Sequence, residues 1–112
     1  MALNLRTLKP SDLSRLPTLI DTADGQAEFR VALITFLRPP LVDDDEAERD
    51  LVAVTARQLS RSGVLDRACR SGLHVDVHEV DPERLSAFLS ELPDDTGTHL
   101  FAEPRQRLAG AS

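Results

Sequence analysis

Apolar positions along this chain fall into short blocks separated by Pro, Gly and acidic clusters, and the spacing within each block predicts an element. Leu3, Leu5 and Leu8 with polar neighbours predict a short first strand that Pro10 must end. Leu13, Leu16 and Ile20 then follow helical spacing behind Ser11 or Asp12 as cap. Pro17 is tolerated in the first turn if Ser14 is the cap and kinks the helix otherwise, and the segment is expected to stop near Asp24-Gly25. Val31 to Leu37 is an apolar run with one polar member, held between Arg30 and Arg38-Pro39-Pro40. Its β-branched content predicts a strand buried on both faces, with a buried helix starting at Gln26 as the alternative.

The carboxylates Asp43-Asp44-Asp45-Glu46 stand just before a long helical pattern, where the positive end of the helix dipole favours them. Ala47, Leu51 and Val54, with Val52, Ala56 and Leu59 beside them, predict a broad apolar stripe running to Gly63. A second short helical turn over Val64 to Cys69 is expected to end at Gly72. Leu73 to Val80 alternates as a strand with one buried face should. Asp81-Pro82 supplies a cap and first helical residue, and Leu85, Phe88, Leu89 and Leu92 make a stripe predicted to be buried before Pro93. After a turn at Asp94 to Gly97, Thr98 to Ala102 reads as a last strand closed by Pro104. The expected fold is α/β or α+β: one small domain over residues 1–112, about four strands in a mixed sheet with three helices packed on it, and a frayed tail at 108–112. The alternative is an all-α helical adaptor domain.

Composition narrows the partners. With 112 residues, 41% of them apolar, the chain has room for one core, and with no Trp, no Tyr and four Phe that core must be mainly aliphatic. An aromatic platform for stacking bases is absent, and a net charge of −6 repels phosphate backbones and anionic lipids, so neither nucleic acid nor membrane is an expected partner. No apolar run reaches the roughly 20 residues of a bilayer span, and Met1 to Arg6 lacks the apolar segment of a secretion leader, so a cytoplasmic protein is expected. The single cysteine, Cys69, excludes a disulfide or a multi-cysteine metal site within one chain.

Four constellations bear on chemistry. On a strand, His74-x-Asp76-x-His78 would project two imidazoles and a carboxylate from one face, a donor set for Zn²⁺ or another divalent metal; His99, on the predicted last strand, would join them if the strands are neighbours. Against this, Val75 and Val77 mark the opposite face as the buried one, which leaves the three polar residues as a solvated surface. Cys69 beside Arg67 and Arg70 offers a thiol near positive charge, although a small core hydrophobe is the ordinary role of a lone cysteine. Asp21-Thr22-Ala23-Asp24-Gly25 has the outline of a calcium loop, but the glutamate required six residues after the glycine is Val31, so a turn is expected. Asp43 to Asp45 could hold Mg²⁺, but a helix-starting acidic run accounts for them. Neither a Gly-rich phosphate loop nor any cofactor site is apparent.

Two segments resemble known families. Leu5-Arg6-Thr7-Leu8-Lys9-Pro10-Ser11-Asp12-Leu13 through Ile20 resembles the first strand and helix of the GNAT superfamily of acetyl-CoA-dependent N-acetyltransferases. That likeness implies a pyrophosphate-binding Q/R-x-x-G-x-G/A loop, which the chain does not contain. Phe29 to Arg70, through its spacing of Leu and Arg and Gly63-Val64-Leu65-Asp66, is similar to the helical death-like adaptor domains of bacterial conflict systems, and implies an all-helical fold. The alternating segment from Leu73 to Val80 departs from it. The function expected is a small acidic, non-catalytic protein-interaction module: a regulator, an immunity-type inhibitor or an assembly subunit. The alternative is a metal-dependent or acyl-transfer enzyme using the His74, Asp76 and His78 face. The expected partner is another protein, basic in character, or a second copy of the chain. Leu41 and Val42 extend the apolar character past Pro39-Pro40, and Asp43, Asp44 and Asp45 lie beside them to steer that partner.

Overall fold

In the computed structural model, which describes residues 3–40, 45–93, 96, 100 and 101, the polypeptide builds helices where the apolar pattern admits two readings. Five α-helices run along the described residues: α1 (Pro10–Ile20), α2 (Ala23–Leu37), α3 (Asp45–Ser62), α4 (Val64–Arg70) and α5 (Pro82–Ser90), with 3-10 turns at Leu5–Thr7 and Val77–Glu79. No strand occurs among the described residues, so the expected mixed sheet is replaced by an all-α fold.

The first three expected strands each give way for a local reason. At the N-terminus the Asn4 side chain accepts the Arg6 N–H at 2.9 Å and closes a 3-10 turn over the residues expected to extend. Pro10, expected to end a strand, is instead the first residue of α1, where its missing N–H costs nothing, and the Asp12 carboxylate accepts the Lys9 N–H at 3.1 Å. The helix continues through Pro17. Asp24-Gly25, expected as a stop, is a start: Thr22 Oγ1 accepts the Gly25 N–H at 2.9 Å and caps α2, with Asp24 in its first turn. Gly25 is required there because a Cβ at this position would fall onto the Leu19 carbonyl at the end of α1. The Val31–Leu37 run is thus the second half of a helix. In the Leu73–Val80 segment, Leu73 and Val75 are buried and the residues beside them exposed as alternation predicts, but Asp76 accepts the His78 N–H at 2.9 Å and winds the chain into a 3-10 turn. Val75 N–H donates instead to the Leu100 carbonyl, and Leu100 is itself helical. Residues 98, 99 and 102 of the expected last strand lie outside the described residues, as do 94, 95 and 97 of the turn before it and the tail at 108–112.

Packing gives α3 its observed face. Val52, Thr55, Ala56 and Leu59 are the buried positions, while Ala47 and Val54 of the expected stripe are exposed and Leu51 is half-buried. The buried set keeps i, i+3, i+4, i+7 spacing once Thr55 is counted. Gly63 (φ 78°) and Gly72 (φ 86°) end α3 and α4, and Gly72 and Leu73 donate to the Cys69 and Ala68 carbonyls in a Schellman closure. Helix α5 packs on α3, α1 on α2, and α4 on both α1 and α3. Phe36, Phe88 and Phe101 form an edge-to-face chain through the core, with ring centroids 6.3 and 6.0 Å apart. On α5, Phe88 and Leu92 are buried as expected, and Leu85 and Leu89 are half-buried. Arg84 is buried as well.

Candidate functional site

Two features adjoin at the end of α2: a buried ionic contact and an open apolar groove. The contact exists because helix ends leave carbonyls without partners. The last turn of α2 receives two donors from the start of α5: Asp81 N–H gives a 3.1 Å bond to the Leu37 carbonyl, and Arg84 Nη2 bonds the Phe36 carbonyl. Arg84, only 3% exposed, also donates through Nη1 to Glu48 Oε1 of α3 at 2.6 Å, and its guanidinium lies 5.8 Å over the Phe36 ring. One cation thus meets the negative end of a helix, a carboxylate and a ring face. Its Nε is buried without a hydrogen-bond partner. Glu48 is shared with Arg6, at 3.6 Å.

Arg6 and Phe36 carry this contact to the surface, because both line a groove of about 770 Å³ along the outer side of α2. Val31, 62% exposed, lines it with Ala27 and Thr35 one turn away on either side along α2; Leu3 and Pro39 add apolar surface, and Glu28 and Arg38 supply charge. Helical spacing puts Asp24, Glu28, Val31, Thr35 and Arg38 on one seam, acidic at the start of α2 and basic at its end. A second groove, about 680 Å³, runs along α5 between Val77, His78, Leu85, Ser86 and Leu89.

Other residues singled out in the sequence fall elsewhere. His74, Asp76 and His78 are exposed, but they lie on an extended segment and a 3-10 turn, not on one face of a strand, so the period-two argument for a shared metal does not apply. Among the described residues no group of three His, Cys, Asp or Glu is placed to hold a metal ion. His99 lies outside the described residues, as do Leu41, Val42, Asp43 and Asp44; Asp45 is the first residue of α3. The described chain reaches Pro40, one residue past the groove's Pro39 lip, and Leu41 and Val42 follow directly. Cys69 is half-buried, its thiol donating to the Thr96 carbonyl at 3.4 Å. Burial pushes the thiol upward and the Asp66 carboxylate adds to the effect, so the group is held as a thiol. The arginines beside it are turned to other partners: Arg67 pairs with Asp21 at 2.5 Å and Arg70 with Asp66 at 2.9 Å.

Sequence reasoning missed Arg84 and Glu48, yet a signal for both exists. Arg84 stands four residues before Phe88 and Glu48 four before Val52, so opposite charges extend two apolar stripes by one turn. It missed Val31 because a residue inside an uninterrupted apolar run is taken as core.

Comparisons with protein-family models, curated proteins and solved structures find no match to this chain. The segment resembling the GNAT superfamily forms a 3-10 turn and a helix, not the strand that likeness implies. No helix among the described residues is long and apolar enough to cross a membrane.

Proposed function

We propose that this chain is a small, non-catalytic protein-interaction module of the helical adaptor kind, which binds a protein partner, a second copy of itself included, through the groove beside α2. The observation that carries the reading is Val31: a large apolar side chain left 62% exposed in the lining of an apolar groove, on a helix whose other large apolar residues are buried. A solvated helix face gains nothing from an apolar residue there, whereas a partner that covers it removes that area from water. The rim supplies orientation, with Glu28 for a basic group and Arg6 and Arg38 for acidic ones. A cytoplasmic location accords with a single cysteine and a net charge of −6.

Site-specific photo-crosslinking in the producing cell tests the reading. A benzophenone side chain at position 31 is expected to give discrete protein adducts that the same group at exposed position 58 on α3 does not. Equal labelling from both positions overturns the assignment of this groove as the contact surface.

A further inference from the structure

We propose that the partner seated in the α2 groove is a second copy of this chain, packed antiparallel about a two-fold axis that passes beside Val31. The inference rests on the reading of the groove as a contact surface and goes beyond it by naming the occupant. In an antiparallel pair of helices centred on Val31, each residue n positions before the centre faces the residue n positions after it in the other copy. Asp24 stands seven before Val31 and Arg38 seven after, both exposed. They are about 21 Å apart along the helix, so each Asp24 meets the partner subunit's Arg38 at both ends of the contact.

Between them, Ala27, Val31 and Thr35 fit the same register, whereas Glu28, three before the centre, falls opposite the partner subunit's Ile34, a buried residue, and gains no charge partner there. Ala27 faces the partner subunit's Thr35, two small side chains that let the helices approach, and Val31 meets the partner subunit's Val31 at the axis. Asp24, Glu28, Val31, Thr35 and Arg38 follow the alternating four-and-three spacing of a helix-pairing seam. A parallel pairing would set Asp24 against Asp24 and Arg38 against Arg38, and is disfavoured at both ends. Antiparallel pairing also brings the negative end of each α2 beside the positive end of the other. The surface is therefore complementary to itself in one orientation, as an isologous interface requires.

The test is the oligomeric mass of the full chain, measured by sedimentation across a concentration series into the millimolar range. The wild type is expected to move from one copy to two as concentration rises. Val31→Glu and either single charge reversal, Asp24→Arg or Arg38→Asp, are expected to weaken self-association by at least about tenfold. Mixing the two charge-reversal variants at equal amounts is expected to restore a dimer containing one of each. In that dimer the arginine introduced by Asp24→Arg faces the aspartate introduced by Arg38→Asp, and the unaltered Asp24 and Arg38 face each other at the opposite end. Circular dichroism melts of each variant separate loss of association from loss of fold. A wild type that stays a single copy throughout overturns the inference, and so does a dimer indifferent to Asp24→Arg and Arg38→Asp. If adducts from position 31 then contain a different protein, the groove is still a contact surface and only its occupant was misassigned. If position 31 labels nothing above position 58, both readings fail.

Discussion

Among the arginine–glutamate pairs that join α3 to α5, two are made from adjacent residues in opposite senses. Glu48 of α3 holds Arg84 of α5 at 2.6 Å, and Arg49 of α3 holds Glu83 of α5 at 2.8 Å. The bond lengths are alike and the surroundings are not. Side-chain exposure is 3% and 17% for Arg84 and Glu48, against 55% and 72% for Arg49 and Glu83. In the exposed pair water competes for both charges and salt screens them, so little is lost when one partner goes. The buried pair has given up its water, and each member depends on the other to offset that cost. Geometry alone does not rank the two; burial does.

Breaking the buried pair should have the largest effect. Arg84→Ala leaves Glu48 with only the longer contact to Arg6 and strips a donor from the Phe36 carbonyl, and should cost roughly 3–5 kcal/mol in chemical denaturation. That is a large part of the roughly 5–15 kcal/mol available to a domain. A loss below about 1 kcal/mol would place Arg84 in the same class as the surface arginines. Replacing both charges by apolar groups, Glu48→Leu with Arg84→Met, should recover part of the stability. What remains lost, about 1–3 kcal/mol, measures the Phe36 carbonyl left without its donor. Arg49→Ala should cost only about 0.2–1 kcal/mol, and the difference from wild type should shrink in 1 M salt, on the order of a 3 Å screening length. An Arg49→Ala loss equal to that of Arg84→Ala would show that burial is not what separates the pairs.

Cys69 sets the smallest effect, at an intermediate burial. Its folded-state titration lies above the ordinary thiol value of 9.0, chiefly through desolvation and secondarily through Asp66. The folded protein therefore keeps this proton after the unfolded chain has begun to release it. The stabilisation is fully present below about pH 9 and declines as pH rises from there through the folded-state value. Cys69→Ala should remove that component of the alkaline decline, seen as a flatter melting temperature against pH in this window. At pH 8 the wild-type thiol should also react with iodoacetamide more slowly than a free cysteine does. A rate equal to that of the free thiol would mean that Cys69 is not held as the structure places it.

The bounds of the later helices could be read where caps and breaks are explicit, although the fold class could not. Asp81-Pro82 begins α5, Gly63 and Gly72 close α3 and α4, and Phe88 and Leu92 reach the core as their spacing requires. The reading failed at Leu3–Leu8, Val31–Leu37 and Leu73–Val80, which are short apolar patterns that suit a strand and a buried helix or turn about equally. For Val31–Leu37 the deciding residues lay upstream: Thr22 capping Gly25, and a glycine that admits the Leu19 carbonyl. Of the candidate site, Arg38 and Pro39 were visible only as punctuation, and Val31 only as one apolar residue among seven.

The sequence by itself determined the starts and stops of α3 and α4, the start of α5 and the acidic balance of the chain, because caps, glycines, prolines and charge act over one or two turns of chain. Tertiary structure decided which side of each helix is inside. Arg84 is buried because α5 meets the open end of α2 beside Glu48, and Val31 is exposed because Phe29, Leu33, Ile34, Phe36 and Leu37 turn the other side of α2 to the core. Both outcomes depend on neighbours distant in sequence, and local propensity carries no term for them.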